Sequence, residues 1–131
     1  MKGFLTPGFT ALVTLLVASL AFGETDAEQR YPDVIDVSVS ASGDDRFTFQ
    51  VTLSSPYDTP QRYADAFRVA TEGGDTLGVR ELLHDHANEQ PFTRSLSGVA
   101  IAPDLTRVVV QGRDQEYGYG GQTMTVSLPG R

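Results

Sequence analysis

The chain has 131 residues, a formal net charge of −7 and no cysteine. That length allows one domain of ordinary size. The acidity sets nucleic acid and anionic lipid aside as partners, and the missing thiols exclude disulfides and a cysteine nucleophile.

Residues 1–23 read as a signal peptide. Lys2 gives a positive start, no charged residue occurs from Gly3 to Phe22, and Ala11 to Phe22 is a dominantly apolar run. Such a run has the length of a signal-peptide core and falls short of the ~20 residues a membrane span needs. Ala21 and Gly23 put small residues where a signal peptidase reads, so cleavage is expected before Glu24. The alternative is an uncleaved anchor. The part from Glu24 onward carries nine arginines, no lysine and all 17 acids, a net of −8. Residues 24–31 read as a flexible tail and 32–131 as the domain.

The domain alternates with period two, the mark of half-buried strands. Ile35, Val37, Val39 and Ala41 define an inward face of the first strand, and Ser42-Gly43-Asp44-Asp45 is a turn. Phe47, Phe49, Val51 and Leu53 define the second strand. A two-proline loop, Ser54 to Arg62, leads to a third strand over Tyr63–Thr71. The turn Glu72-Gly73-Gly74-Asp75 precedes a weaker strand over Thr76–Leu83, with Leu77 and Val79 inward. Glu81–Gln90 contains good helix formers, which suits a short helical turn. Strands follow over Phe92–Val99 and Arg107–Arg113. Asp114–Gln122 reads as a glycine-rich loop, and Met124, Val126 and Leu128 mark the last strand. Seven short strands at this spacing predict an all-β, seven-stranded antiparallel sandwich of immunoglobulin type.

Two resemblances add to this. Leu105 to Asp114, then Gly118-Tyr119-Gly120-Gly121 and Thr125 to Pro129, resemble the closing hairpin of a fibronectin type III domain, which places Phe67 as the core aromatic of the third strand. The usual tyrosine before the penultimate strand is missing; Thr106 and Arg107 occupy that region. His84-Asp85-His86, then Glu89-Gln90-Pro91-Phe92-Thr93-Arg94-Ser95-Leu96 and Gly-Tyr-Gly-Gly, resemble a family of small exported bacterial proteins of unassigned activity. That resemblance implies a periplasmic or secreted location and no particular function.

In an antiparallel chain successive connections alternate between the two ends. The long ones, Ser54–Arg62, His84–Pro91 and Asp114–Gln122, therefore share one end, and loops on a rigid scaffold are where binding usually sits. Tyr57, Asp58, Asp85, Tyr117 and Tyr119 fall in them, and tyrosine beside glycine makes a contact surface suited to a protein or glycan. His84 and His86 are two apart and point the same way on an extended segment, a spacing that suits Zn²⁺ or Cu²⁺. Glu89 is a candidate third ligand, as are Glu81, Asp85, Asp58 and Glu116. The plainer reading is two solvated histidines. Ca²⁺ on the loop acids Asp58, Asp85, Glu89, Asp114 and Glu116 fits less well, because no Asp-x-Asp-x-Asp loop is present. Met124 reads as core, with a thioether ligand as its second reading.

By parity Asp65, Glu81 and Arg94 all face inward near the loop end. A buried charge must be paired, so they are expected to form a salt-bridge cluster. No Gly-x-Ser-x-Gly turn and no strand–glycine–helix motif occurs. The sequence points to a non-catalytic exported binding module without a resident cofactor. The alternative is a periplasmic metal-binding protein using His84 and His86.

Overall fold

The computed structural model describes residues 28–131, so the signal segment and its cleavage point lie outside the described residues. Seven strands are present: β1 (Asp33–Gly43), β2 (Arg46–Ser54), β3 (Ala64–Ala70), β4 (Thr76–Glu81), β5 (Phe92–Ala100), β6 (Arg107–Asp114) and β7 (Gly118–Ser127). They form two antiparallel sheets with orders β1-β2-β5 and β4-β3-β6-β7. The architecture is the all-β sandwich the alternation predicts, and no helix forms in the His84–Gln90 segment.

The alternating apolar set of β2 makes one side of the core. Phe47, Phe49, Val51 and Leu53 are all buried, facing Phe67 and Val69 of β3 and Val108 and Val110 of β6. Each such side chain contributes roughly 1.5–3 kcal/mol by leaving water. Met124 pairs with Val110 in mid-strand and packs against this core, away from the loops.

Local irregularities move several side chains from their expected faces. A register shift between Val34 and Asp36 buries Val34 completely and leaves Ile35 45% exposed. A one-residue bulge reverses which side chains face the core. On β4, Gly78 and Arg80 take the inner face, opposite Val69 and Phe67. Val79 and Glu81 therefore face outward, and Val79 is exposed. The expected loop Asp114–Gln122 shrinks to Gln115–Tyr117, because Gly118–Gly120 already pair with Asp114–Gly112. Gly120 and Gly121 serve packing. A Cβ on Gly120 would collide with the Tyr31 ring, and Gly121, at φ +80°, lies under the Pro32 carbonyl. Gly112 likewise faces Pro32, whose Cγ would sit 2.6 Å from an added Cβ. The segment from Gln29 to Pro32, read from the sequence mostly as loose tail, is thus docked on β6 and β7. Gln29 Nε2 also donates to Tyr31 O and Ser54 O.

The connections alternate between ends as expected. Residues 55–63, 82–91 and 115–117 share one end with the start of β1. At the other end Ile101 N donates to Asp45 O, and the Arg131 guanidinium bonds the Ile101 and Leu105 carbonyls and Asp45.

Candidate functional site

The 55–63 connection is the hub of the loop end. Asp58 is buried, and its carboxylate accepts from Ala64 N (3.0 Å) and from His86 N (2.9 Å), fastening the 82–91 loop to β3. Ser55 N donates to Gln90 Oε1 (2.8 Å), and Gln90 Nε2 donates to His86 O (3.0 Å). Tyr57 reaches the other way, donating its hydroxyl to Asp114 Oδ1 at 2.7 Å. Asp58, expected as a free loop ligand, is thus spent on loop structure, as is the Tyr57 hydroxyl.

Asp114 ends β6 with its side chain fully buried and saturated. Its Oδ2 accepts from the backbone N–H groups of Glu116 and Tyr117, both at 2.9 Å, and from Arg62 Nε at 3.2 Å. Burial pushes this carboxyl up, but the hydrogen bonds from Tyr57, Tyr117, Glu116 and Arg62 outweigh it and hold it below the usual range. Burial and the neighbouring Asp114 keep the Tyr57 phenol protonated far above its ordinary range. Arg62 lies between the rings of Tyr57 (4.4 Å) and Tyr117 (4.9 Å), and its Nη2 donates to Arg30 O. Arg62 was not singled out from sequence, and Asp114 was read there only as one of the loop acids suited to Ca²⁺. The signal was an Asp at a strand end two and three residues before the N–H groups it caps.

His86 is buried at the same end. Its ring stacks on Phe92 with centroids 3.8 Å apart and planes at 6°, and its side chain is 4% exposed. Among the described residues Nδ1 has no hydrogen-bond partner; Asp58 Oδ2 lies 3.9 Å away, beyond hydrogen-bond length. Burial, with the Arg94 charge, lowers the His86 pKa below its ordinary value, so the ring is neutral near pH 7. The His84 ring is 5.2 Å from it, centroid to centroid, and His84 Nδ1 lies 2.9 Å from Asp85 O. His84, Asp85, His86, Ala87, Asn88, Glu89 and Arg94 line an open cavity of about 310 Å³. Among the described residues no three His, Asp or Glu side chains converge as a ready metal cage, so Glu89 does not complete one. Glu89 is instead held by Arg94 Nη2 at 2.9 Å, which lowers its pKa.

The expected cluster of Asp65, Glu81 and Arg94 is divided. Asp65 and Glu81 do meet, but around Arg113, at 2.8 and 3.0 Å, on the outer face of the larger sheet. Asp65 is the extra residue of a bulge between Ala64 and Ala66, which turns it outward. Arg94 does pair with core-facing Val51, but β5 is an edge strand. The long side chain leaves between the sheets to Glu89 and is 29% exposed. Tyr119 is not on a loop; it lies in β7 under Arg68 (4.2 Å). Tyr117 is exposed at the loop end, and Leu83, 83% exposed, precedes the histidine pair.

Fold and site together define an all-β sandwich domain with an open polar cavity at one end of its sheets. The chain is similar to a protein of Halomicrobium mukohataei named "Putative lipoprotein", with 43% identity over 102 residues, 78% of this chain. The chain spans about half the length of that curated relative. No family model matches the sequence, and no solved structure matches it.

Proposed function

We propose that this chain is an exported, non-catalytic binding module that meets its partner, a protein or a glycan, with the loop end of the sandwich. The observation that carries this reading is the loop-end cavity of about 310 Å³, at the lower end of the size range of ligand sites. Its walls are held by Asp58, Gln90 and Phe92, so a partner meets a preformed surface. Exposed Leu83 and Tyr117 supply apolar contact area at the same end.

Export is supported by the Lys2-led apolar segment with Ala21 and Gly23, and by the name of the relative, since a lipoprotein is an exported, membrane-held protein. The 131 residues contain no cysteine, so they offer no thiol for lipid attachment; periplasmic or secreted is the finer reading. The sheet orders β1-β2-β5 and β4-β3-β6-β7 favour the fibronectin type III comparison within the sandwich class. The non-catalytic reading draws on the missing nucleophile motifs in the sequence.

The test uses the full chain expressed in cells. Mass spectrometry of the extracytoplasmic fraction is expected to find an N-terminus at Glu24; an intact Met1 in the membrane pellet overturns the cleavage. For binding, the biotinylated protein is presented to a glycan array and to extracytoplasmic extract in EDTA. Leu83→Ser and Tyr117→Ala are expected to lose the captured species, whereas Glu72→Ala and Asp104→Ala at the opposite end retain it. Capture that survives both loop-end variants and fails in the opposite-end ones refutes the assignment.

A further inference from the structure

The loop-end cavity has a feature that a merely solvated surface does not explain. His86 is stripped of water on most of its ring, yet its Nδ1 makes no hydrogen bond among the described residues. A buried unpaired polar atom is costly, and such an atom in a native fold calls for a reason. The ring is also held still. Its backbone N–H is fixed by Asp58, its carbonyl accepts from Glu89 N and Gln90 Nε2, and its face lies on Phe92.

Each imidazole brings its Nδ1 near an oxygen acceptor, Asp85 O for His84 and Asp58 Oδ2 for His86. The Asp85 carbonyl can only accept, so the hydrogen bond to it puts the His84 proton on Nδ1 and leaves Nε2 with its lone pair. His86 presents Nδ1 to the Asp58 carboxylate, which favours the proton on that nitrogen as well. Neither Nε2 has a hydrogen-bond partner among the described residues, and both rings line the same open cavity 5.2 Å apart. Imidazole ligands characteristically carry such a partner, a carbonyl or a carboxylate, on the nitrogen that does not bind metal.

We propose that His84 and His86 bind one borderline divalent transition-metal ion, Cu²⁺ foremost, through their Nε2 atoms, with the remaining positions open to water. The proposal rests on the loop end being the binding surface and names its ligand chemistry. Cu²⁺ leads because imidazole sites favour it over Zn²⁺ and Ni²⁺, and a two-nitrogen site lacks the cage that Zn²⁺ structural sites have. Asp85 and Glu89 are engaged with Ala87 N and Arg94, so they add negative charge rather than ready ligands. That charge partly offsets Arg94, and the acidic chain as a whole attracts cations. Metal on Nε2 would make the Nδ1 proton more acidic and strengthen its attraction to the Asp58 carboxylate 3.9 Å away.

The experiment uses the full chain stripped with EDTA and dialysed, titrated near neutral pH with CuCl₂, ZnCl₂ and CaCl₂ by calorimetry. One Cu²⁺ per chain is expected, with weaker Zn²⁺ binding and no Ca²⁺ heat. His84→Ala, an exposed change that leaves the urea midpoint in place, is expected to weaken Cu²⁺ binding about tenfold or more. Nitrogen-15 spectra of the wild type, recorded with substoichiometric Cu²⁺, are expected to lose Nε2 of both histidines first. This readout needs no His86 variant and so no assumption about its folding. No one-to-one Cu²⁺ binding, unchanged binding in His84→Ala, or first broadening at Nδ1 or elsewhere overturns the proposal. Because partner capture is measured in EDTA, a failure here with capture intact removes the metal alone, and loss of capture with metal binding intact removes the module.

Discussion

Replacing Asp114 by Ala removes the anchor of the loop end while leaving its four donors in place. The Tyr57 hydroxyl, two backbone N–H groups and the Arg62 guanidinium all lose their acceptor. Breaking a buried ion pair by deleting one partner costs about 3–5 kcal/mol. Arg62 is 21% exposed and recovers some hydration, so the loss is expected near the lower end, about 3 kcal/mol. In urea this lowers the midpoint by roughly 1–3 M for a slope of about 1–3 kcal/mol/M. Asp114→Asn keeps the shape and loses the charge, and is expected to cost about 1.5–3 kcal/mol. The depressed folded-state pKa adds a pH signature. An acid whose pKa falls on folding stabilises fully above its unfolded value, 3.8, and loses that stabilisation as pH drops through the folded value. The gap between wild type and Asp114→Asn is therefore constant near neutrality and narrows below about pH 4. A loss within about 0.5 kcal/mol for Asp114→Ala, the scatter of surface changes, would refute the account.

Gly112→Ala is expected to cost about 1–3 kcal/mol, measured by thermal unfolding, because its Cβ must displace Pro32 from the edge of the sandwich. Arg113→Ala removes the cation shared by Asp65 and Glu81 at a partly exposed site and should cost about 1 kcal/mol, with a loss that shrinks in high salt. Arg94→Ala, whose partner is the solvent-exposed Glu89, should leave the urea midpoint nearly unchanged. His86 is buried neutral, with Asp58, His84, Glu89 and Arg94 around it. Its pKa is lower folded than unfolded, so stability is full above about pH 6.5 and falls as pH drops from there toward the folded value. Urea midpoints across that window should slope less in His86→Gln than in wild type; equal slopes would contradict the burial argument.

The sequence was most legible where alternation ran unbroken. All four apolar residues expected inward on β2 are buried, and Phe67 is the fully buried aromatic of β3. It was misleading wherever one extra residue entered a ladder, because period-two reasoning then assigns the wrong face. Ile35, Asp65 and Glu81 each follow such a shift. Gly120 and Gly121 look like loop by composition but leave the room in which Tyr31 and Pro32 lie against β7. That contact joins residues ~90 apart and has no local signature. At the site, the histidine pair and Glu89 were visible from spacing and share the cavity, whereas Arg94, expected with Asp65 and Glu81, joins them there through Glu89. The buried status of His86 was not visible, since it depends on Asp58 and Phe92 arriving from two other segments.

The docking of Gln29–Pro32 beside the loop end, with Arg131 pinned at the far end, sets how the domain carries tension. A pull between these two points runs along the strands rather than across them. The nine paired positions of the β1–β2 ladder are then strained together in shear instead of parting one after another. Resistance to such a pull is governed by the rate of unfolding rather than by equilibrium stability. Arg62, which grips Gln29 O and Arg30 O while holding Asp114, makes the loop end the first part to feel the load. A force applied at the entry of the chain would thus reach the walls of the cavity before it reached the hydrophobic core.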